Sequence, residues 1–259
     1  MSLDQPEPVV KYHSVTRDGF LGARLKLSQP RHGFRAGLDS VLLGAAVPAG
    51  TGRLLELGAG VGTASLVALE LGRAERAVLA EREPLALELA RANVADNGFA
   101  ERAEVAAADV EAPAAERRAA GLADNAFDTV IANPPFFTLG TLAPNEGRAA
   151  ARHMPADRLA HWARVAAAAA RAGGQAIFIY PAERLSAVLA ALEPRFGGLV
   201  VLPLLPRPGA AASRVLVRGT KGSRAPLTLL ASRALHGEDG RAFAPEFDAI
   251  FRGMAVLDW

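Results

Sequence analysis

The stretch Arg53-Leu-Leu-Glu-Leu57-Gly58-Ala-Gly60-Val-Gly62-Thr63 decides how the rest of the chain is read. Arg53 to Leu57 is a short apolar run, the pattern of a strand buried on both faces. Three glycines follow at alternate positions, and Thr63 to Leu71 then reads as an amphipathic helix. Glycine at a strand-to-helix turn tolerates positive φ and lets backbone approach a ligand at a helix N-terminus. A dinucleotide-binding turn would carry Gly or Ala at the sixth position, which is Thr63 here. Glu56, two residues before the first glycine, would repel a pyrophosphate and welcome a cation.

Outward from this turn the pattern alternates. Ala77 to Ala80 reads as a second strand ending at Glu81, and Pro84 to Asp96 as a helix with proline in its first turn and an Asn97-Gly98 stop. Ala103 to Ala108 is a third strand, ending at Asp109. An Ala/Arg/Glu-rich loop, Glu111 to Asp124, leads to a fourth at Thr129 to Ala132. Helix is expected over Asp157 to Arg171 and Ala182 to Leu192, and strand over Gln175 to Tyr180 and Gly198 to Leu205. Arg214 to Gly219 should pair antiparallel beside the last of these. The tail holds Leu227 to Ala231, a Gly237 to Gly240 turn and a short helix near Phe247 to Arg252. Upstream, little periodicity shows before a helix at Leu38 to Ala46, capped by Asp39 or Ser40. Strand-helix alternation of this kind implies an α/β fold: a mostly parallel sheet of seven strands with an antiparallel edge strand and helices on both faces. No repeat or linker divides it, so residues 1–50 are expected to contribute to the site of one compact domain formed by 51–259.

With 259 residues, an apolar share of 51% and a formal charge of +2, the chain is long enough for one large α/β domain of ordinary globular composition. No apolar run reaches membrane-spanning length, and Met1 to Pro6 lacks the features of a signal peptide. The absence of cysteine excludes disulfides and thiolate metal sites and fits a cytoplasmic bacterial enzyme.

A second stretch carries chemistry: Asp128-Thr-Val-Ile-Ala-Asn133-Pro134-Pro135-Phe136-Phe137. Two prolines with fixed φ and no N–H can neither continue a ladder nor start a helix, and Asn133 before them is pushed towards extended geometry. The outcome is a stiff shelf at a strand end. There the Asn133 side-chain oxygen and the Pro134 carbonyl can each accept an N–H from a planar amino group, while Phe136 stacks on its ring. Read alone, the segment is equally well a proline-rich turn whose aromatics plug the core.

The acids decide between these readings. Glu56, Glu81 and Asp109 end three successive strands on the carboxyl edge of the sheet, where α/β ligands bind. One such acid is ordinarily a solvated strand-end charge; three beside a glycine loop form a site. S-adenosylmethionine suits them, with a cationic sulfonium and amino group, ribose hydroxyls for Glu81 and an adenine amine facing Asp109. The ordered set Glu56-Leu-Gly-Ala-Gly-Val-Gly62, Glu81, Asp109 and Asn133-Pro-Pro-Phe136 resembles class I methyltransferases that modify exocyclic or amide nitrogens. The upstream segment Leu21 to Leu43, with Gln29-Pro30 and Phe34-Arg35-Ala-Gly-Leu-Asp39, is similar to the bacterial tRNA(Val) adenine-N6 methyltransferase family. That resemblance implies a Rossmann-like fold, S-adenosylmethionine as cofactor and RNA, most plausibly tRNA, as partner. It implies catalytic roles for Asn133, Pro134, Pro135 and Phe136. Cofactor contacts are implied at Arg35, Asp39, Glu56, Gly58, Gly60, Gly62, Glu81, Arg82, Asp109 and Asn133. Neither a metal nor a strong general base is required by this chemistry. His153 and His161 read as solvated or structural and receive no role.

RNA requires a basic surface. Arg195, Arg207, Arg214, Arg218, Lys221, Arg224 and Arg233 lie in a stretch without acids, with Arg17, Arg24, Lys26 and Arg31 in addition. They are read as a phosphate-tracking face, against the alternative of edge-strand charges that prevent aggregation. Rival functions are a glutamine-N5 protein methyltransferase, which shares Asn-Pro-Pro-aromatic, small-molecule N-methylation, and a non-catalytic RNA- or nucleotide-binding module on this fold. If Glu81 holds the ribose, titration calorimetry with S-adenosylmethionine should give no heat of binding to a folded Glu81→Ala variant; unchanged affinity would remove Glu81 from the site.

Overall fold

The computed structural model describes residues 15–31, 35–135, 156–237 and 241–259. The chain enters as an antiparallel hairpin, β1 (Val15–Phe20) and β2 (Leu25–Pro30), followed by α1 (Leu38–Ala45). Next come β3 (Thr51–Leu57), α2 (Thr63–Glu70), β4 (Ala74–Glu81), α3 (Pro84–Asp96) and β5 (Ala103–Ala107). A short α4 (Ala114–Ala119) precedes β6 (Phe127–Ala132). Beyond the second described break lie α5 (Ala156–Ala169), β7 (Ala170–Pro181), α6 (Leu185–Leu192), β8 (Phe196–Leu205) and β9 (Arg214–Lys221). Two-residue strands β10 (Thr228–Leu229) and β11 (Arg233–Ala234) and α7 (Pro245–Phe251) complete the chain.

The main sheet runs β10-β8-β9-β7-β6-β3-β4-β5, with β11 also on β8. All of its pairings are parallel except the two made by β9. The α/β architecture and the mostly parallel sheet are as the sequence implies. Two details differ from it. The antiparallel strand is not at the edge but between β7 and β8, and the short β10 and β11 bring the sheet to nine strands. β9 is placed inside because Val215, Leu216 and Val217 are all buried, which an edge strand facing water on one side would not allow.

Helices cover both faces, as the near-continuous apolar strands require. One buried cluster joins Leu42 and Leu43 of α1, Leu66 and Val67 of α2, Phe247 and Ile250 of α7 and Leu25 and Leu27 of β2. The other joins Trp162, Val165 and Ala166 of α5, Val188 of α6 and Phe127, Phe178 and Val217 of the sheet. Strand order reverses between β3 and β6: β4 and β5 continue to one side of β3, and β6 and β7 to the other. Such a reversal opens a crevice beyond the carboxyl ends of the strands.

The hairpin and α4 are elements that the sequence reading left as irregular chain. The alternation Leu25-Lys26-Leu27-Ser28, with both leucines buried, is the signal that marks β2. α4 buries no residue, so no apolar stripe announces it. α1 begins after Gly37 without a side-chain cap, because Asp39 sits inside the helix and is paired with Arg214.

Two asparagines one turn apart fasten the hairpin to the sheet domain. Asn97 Oδ1 accepts the Lys26 N–H at 3.0 Å and its Nδ2 donates to the Lys26 carbonyl at 3.0 Å. Asn93 does the same for Ser28, at 2.7 and 3.1 Å, and its Nδ2 also donates to the Val61 carbonyl at 3.0 Å. The i, i+4 spacing of helix amides thus matches the i, i+2 spacing of a strand edge. Asn93 is fully buried, so its loss would leave the Ser28 and Val61 groups without a partner. Asn93→Ala should lower stability by about 2–4 kcal/mol in urea titrations, while Asn97→Ala, at the exposed end, should cost about 1 kcal/mol. Equal effects would mean that the hairpin is not held through Asn93.

Candidate active site at the carboxyl edge of the sheet

The glycine turn is held from all sides. Gly58, Gly60 and Gly62 have φ of 65°, 56° and 88°, so each uses the left-handed freedom that the sequence suggested. At Gly62 a Cβ would lie 2.5 Å from Leu79 Cδ2, and at Gly58 2.6 Å from the Trp162 ring. Gly60 is different: a Cβ there would meet nothing within 4 Å, so its side of the turn is open. Around it, the Ala59 N–H donates to the Ala80 carbonyl at 2.9 Å, and the Val61 carbonyl takes the Asn93 bond.

Glu81 ends β4 and is the turn's main anchor. Its Oε2 accepts the Gly60 N–H at 2.7 Å, and its Oε1 accepts the Arg82 and Glu83 N–H groups at 2.7 and 2.9 Å. It is thus buried yet hydrogen-bonded as a carboxylate. Oε2, which accepts one bond, retains a lone pair for a ligand hydroxyl, whereas both lone pairs of Oε1 are taken.

Glu56 takes a structural duty that the sequence reading did not foresee. Its Oε2 accepts both the Ser65 N–H at 2.8 Å and the Ser65 hydroxyl at 2.6 Å. Gly62 has no side chain with which to cap α2, and Glu56 supplies the cap from the preceding strand. Burial pushes its carboxyl up to about 7; the two Ser65 bonds oppose this, and the nearby Glu81 adds to it. Glu56 therefore lies beneath the turn rather than on its open side.

Asp109 lies two residues beyond β5. Its Oδ1 accepts the Glu111 N–H at 2.8 Å and its Oδ2 faces Arg82 Nη1 at 3.3 Å. Arg82 thereby spans the ends of β4 and β5 from a half-exposed position, so the structure pairs it with Asp109 rather than leaving it unpaired.

Parallel register puts Leu57 opposite Ala132, so Gly58 and Asn133 leave neighbouring strands side by side at the reversal point. The Asn133 Oδ1 is buried and has no hydrogen-bond partner among the described residues. Pro134 is buried and Pro135 exposed; Phe136, and the segment Thr138 to Met154, lie outside the described residues. Of the sequence-predicted residues, Gly58, Gly60, Gly62, Glu81, Asp109, Asn133 and Pro134 thus share this edge.

Arg35 and Asp39 have other engagements. Arg35 donates to Asp18 Oδ2 at 2.6 Å, to Thr16 Oγ1 at 2.7 Å and to the Pro30 carbonyl at 3.0 Å. Buried Gln29 completes that network, donating to Asp18 and accepting the Ala36 N–H. The Gln29-Pro30 and Arg35-Ala36 elements are therefore a brace between hairpin and α1. Asp39 accepts from Arg214 Nε at 2.9 Å. Each of the two side chains thus has an opposite charge close at hand within the protein.

Several cations of the basic stretch also have partners within the protein. Besides Arg214, Arg218 stacks on Trp259 and donates to its carbonyl, Arg233 pairs with Glu246, and Lys221 donates to the Asn125 side chain and the Ala167 and Ala170 carbonyls. Four of its seven cations thus also make bonds within the fold.

Sequence reasoning missed α5 as a wall of the site. Trp162, 6% exposed and with its indole N–H unpaired, packs on Gly58. His161 Nε2 lies 3.0 Å from the Val110 carbonyl, and Arg158 pairs with Glu111 at 2.6 Å. One helix therefore braces both the turn after β3 and the loop after β5. In sequence Trp162 is only an aromatic on an apolar helix face, which ordinarily means core.

Strand order, reversal point and glycine turn together define the class I methyltransferase fold. A family model of the methyltransferase small domain matches residues 37–150. Among curated relatives, a tRNA1(Val) (adenine(37)-N6)-methyltransferase from Porphyromonas gingivalis is 33% identical over 150 residues, 55% of this chain and 58% of that protein. One from Actinobacillus succinogenes is 32% identical over 172 residues, 64% of this chain and 69% of the relative. This chain thus spans little more than half the length of the first. A solved structure described as a predicted O-methyltransferase, from Agrobacterium tumefaciens, is 36% identical with a TM-score of 0.69, covering 85% of this chain and 98% of the other. The chain belongs to the methyltransferase family that includes these tRNA1(Val) (adenine(37)-N6)-methyltransferases.

Membership in that family implies S-adenosylmethionine, and the residues present fit it. The open side of Gly60, the Glu81 carboxylate and the unpaired Asn133 oxygen converge where the fold places the ligand.

The raised Glu56 carboxyl sets a pH dependence. Its folded value, about 7, lies above the ordinary carboxyl value of 4.5, so between these values the folded protein holds a proton that the unfolded chain has already lost. The contribution is fully present below pH 4.5 and is lost as pH rises through 7. Glu56→Gln, which mimics the protonated form, should match the parent at pH 5 in urea titrations and exceed it by on the order of 2–3 kcal/mol at pH 8. An equal difference at both pH values would show that Glu56 is not the group that titrates.

Proposed function

We propose that the protein transfers a methyl group from S-adenosylmethionine to the exocyclic N6 of an adenine in RNA, with tRNA as the substrate. The observation that carries this reading is the Asn133 Oδ1, buried and without a partner among the described residues, at the reversal point beside Gly58. A buried acceptor without a donor costs about 1–3 kcal/mol, which a bound amine would recover. Residues 1–50 are proposed to contribute to this site through the hairpin brace, and 51–259 to form the methyltransferase domain.

When bound, S-adenosylmethionine supplies an electrophilic methyl carried on a cationic sulfur. The protein's part is orientation. Glu81 and Gly60 hold the ribose side, Asp109 stands at the adenine side, and Trp162 keeps Gly58 in its left-handed conformation. On the acceptor side, Asn133 Oδ1 and the Pro134 carbonyl each take one N–H of the incoming amine. Two acceptors draw the amine out of conjugation and leave its lone pair facing the methyl. Both bonds strengthen as positive charge develops on nitrogen, by about 1.5–3 kcal/mol each, before the extra proton passes to water. Phe136 is proposed to stack on the base, worth roughly 1–3 kcal/mol. A base in an RNA loop is already unpaired, so its extrusion costs little.

The two acceptors also argue for nitrogen over oxygen. An amino group brings two N–H donors to Asn133 and Pro134, whereas a hydroxyl brings one and would leave the second acceptor orphaned. Asn133→Ala should abolish methyl transfer to unmodified bacterial tRNA, read as N6-methyladenosine by nucleoside mass spectrometry, while S-adenosylmethionine affinity stays within about threefold. Product formed by this variant at the parent rate would exclude Asn133 as the amine acceptor. Methylated ribose or methylated glutamine in place of the base would redirect the substrate assignment.

A further inference from the structure

The opposite, amino-terminal edge of the sheet holds a groove of about 390 Å³, whose walls include Arg53, Arg76 and Arg102 with Glu101 and Glu104. It is separate from the site above. Arg53 is five residues before Gly58, roughly 16 Å along β3 at the rise of a parallel strand.

Parallel register sets Arg53 directly opposite Arg76, and Arg102 immediately precedes Ala103, the partner of Ala77. Three guanidinium-bearing residues therefore stand in a row across adjacent strand starts. Like charges directly opposite one another are destabilising unless something neutralises them. Among the described residues none of the three has a carboxylate within ion-pair distance, although Glu101 and Glu104 share the groove wall.

Two of the nearby acids have other neighbours, while Glu101 shares the groove wall. Asp128, next to Arg53, accepts the backbone N–H of Arg53 at 2.7 Å and pairs with Arg171 at 2.5 Å. That pairing accords with its lowered carboxyl, although its burial works in the opposite direction. The Glu104 carboxylate lies beside Gly121, 3.7 Å from where a Cβ would stand there.

Two of the arginines are nevertheless held in place. The Arg53 guanidinium stacks on Phe127, 5.0 Å from the ring centroid, and has no hydrogen-bond acceptor among the described residues. Arg102 stacks on Phe99 at 5.7 Å while Nε and Nη2 donate to the Glu75 and Ala74 carbonyls, which leaves Nη1 unused. Stacked, partly anchored guanidinium groups with unused donors suit the tetrahedral oxygens of phosphate.

We propose that the groove framed by Arg53, Arg76 and Arg102 is a phosphate-binding site, distinct from the methyl-transfer site. The phosphate could come from a small phosphorylated ligand or from an RNA backbone, and two probes separate these sources. Inorganic phosphate should raise the melting temperature of the parent by 2 °C or more relative to chloride at equal ionic strength, and leave Arg53→Gln/Arg76→Gln unmoved. If RNA is the source, the double variant should bind bacterial tRNA about tenfold more weakly at 100 mM salt, with a salt-dependence slope shallower by about 1.5–2. Protection by phosphate with unchanged tRNA binding would assign the groove to a small ligand. Parent and variant alike with both probes would overturn the proposal.

Exposed Arg76→Gln alone, measured with the same probes, provides the test should the double variant fail to fold. The inorganic-phosphate arm needs neither RNA nor S-adenosylmethionine. Failure of the methyl-transfer reading would therefore leave it standing, and failure here would leave methyl transfer untouched.

Discussion

The position of β3 between β4 and β6 is the constraint on which the rest of the structure depends. Both pairings are parallel and in a single register, with Leu57 opposite Ala80 on one side and Ala132 on the other. Because side chains alternate with a period of two, slipping either neighbour by one residue would turn its buried set to the wrong face. The register thus brings Gly58, Glu81 and Asn133 out at the same edge. The site is a by-product of how three apolar strands bury themselves.

Polar groups then convert a packed edge into a shaped one. Glu81 gathers three backbone N–H groups, and Glu56 caps α2 from below. The two carboxylates look alike in sequence but do different work. Glu81 is stabilised by the donors around it. Burial pushes Glu56 towards its protonated form, with Glu81 contributing. The backbone of the turn is consequently fixed before any ligand arrives, which limits the ordering entropy that binding must overcome.

A second layer couples distant pieces of chain to that turn. Asn93 links the hairpin to Val61, Trp162 links α5 to Gly58, and Arg35 draws Asp18, Thr16 and Pro30 together in front of α1. These contacts account for motif residues that resemble ligand contacts when read in sequence. Arg35 and Asp39 stand close to the functional region in the chain, yet their charges are answered by Asp18 and Arg214.

The alternation of strands and helices, the glycine turn, the acids at strand ends and the Asn-Pro-Pro shelf could all be read from the sequence alone. Each rests on local physics: apolar periodicity, the φ range open to glycine, the fixed ring of proline. The inward place of β9, the hairpin, and the partners of Arg35, Asp39, Arg214 and Lys221 could not. They depend on which groups meet in space, in some cases across 65 or 175 positions of chain, and a charged side chain carries no mark of the partner it will find. Tertiary packing made Glu56 a cap, Trp162 a wall and Lys221 a staple, because burial and proximity, rather than residue type, decide what a polar group does.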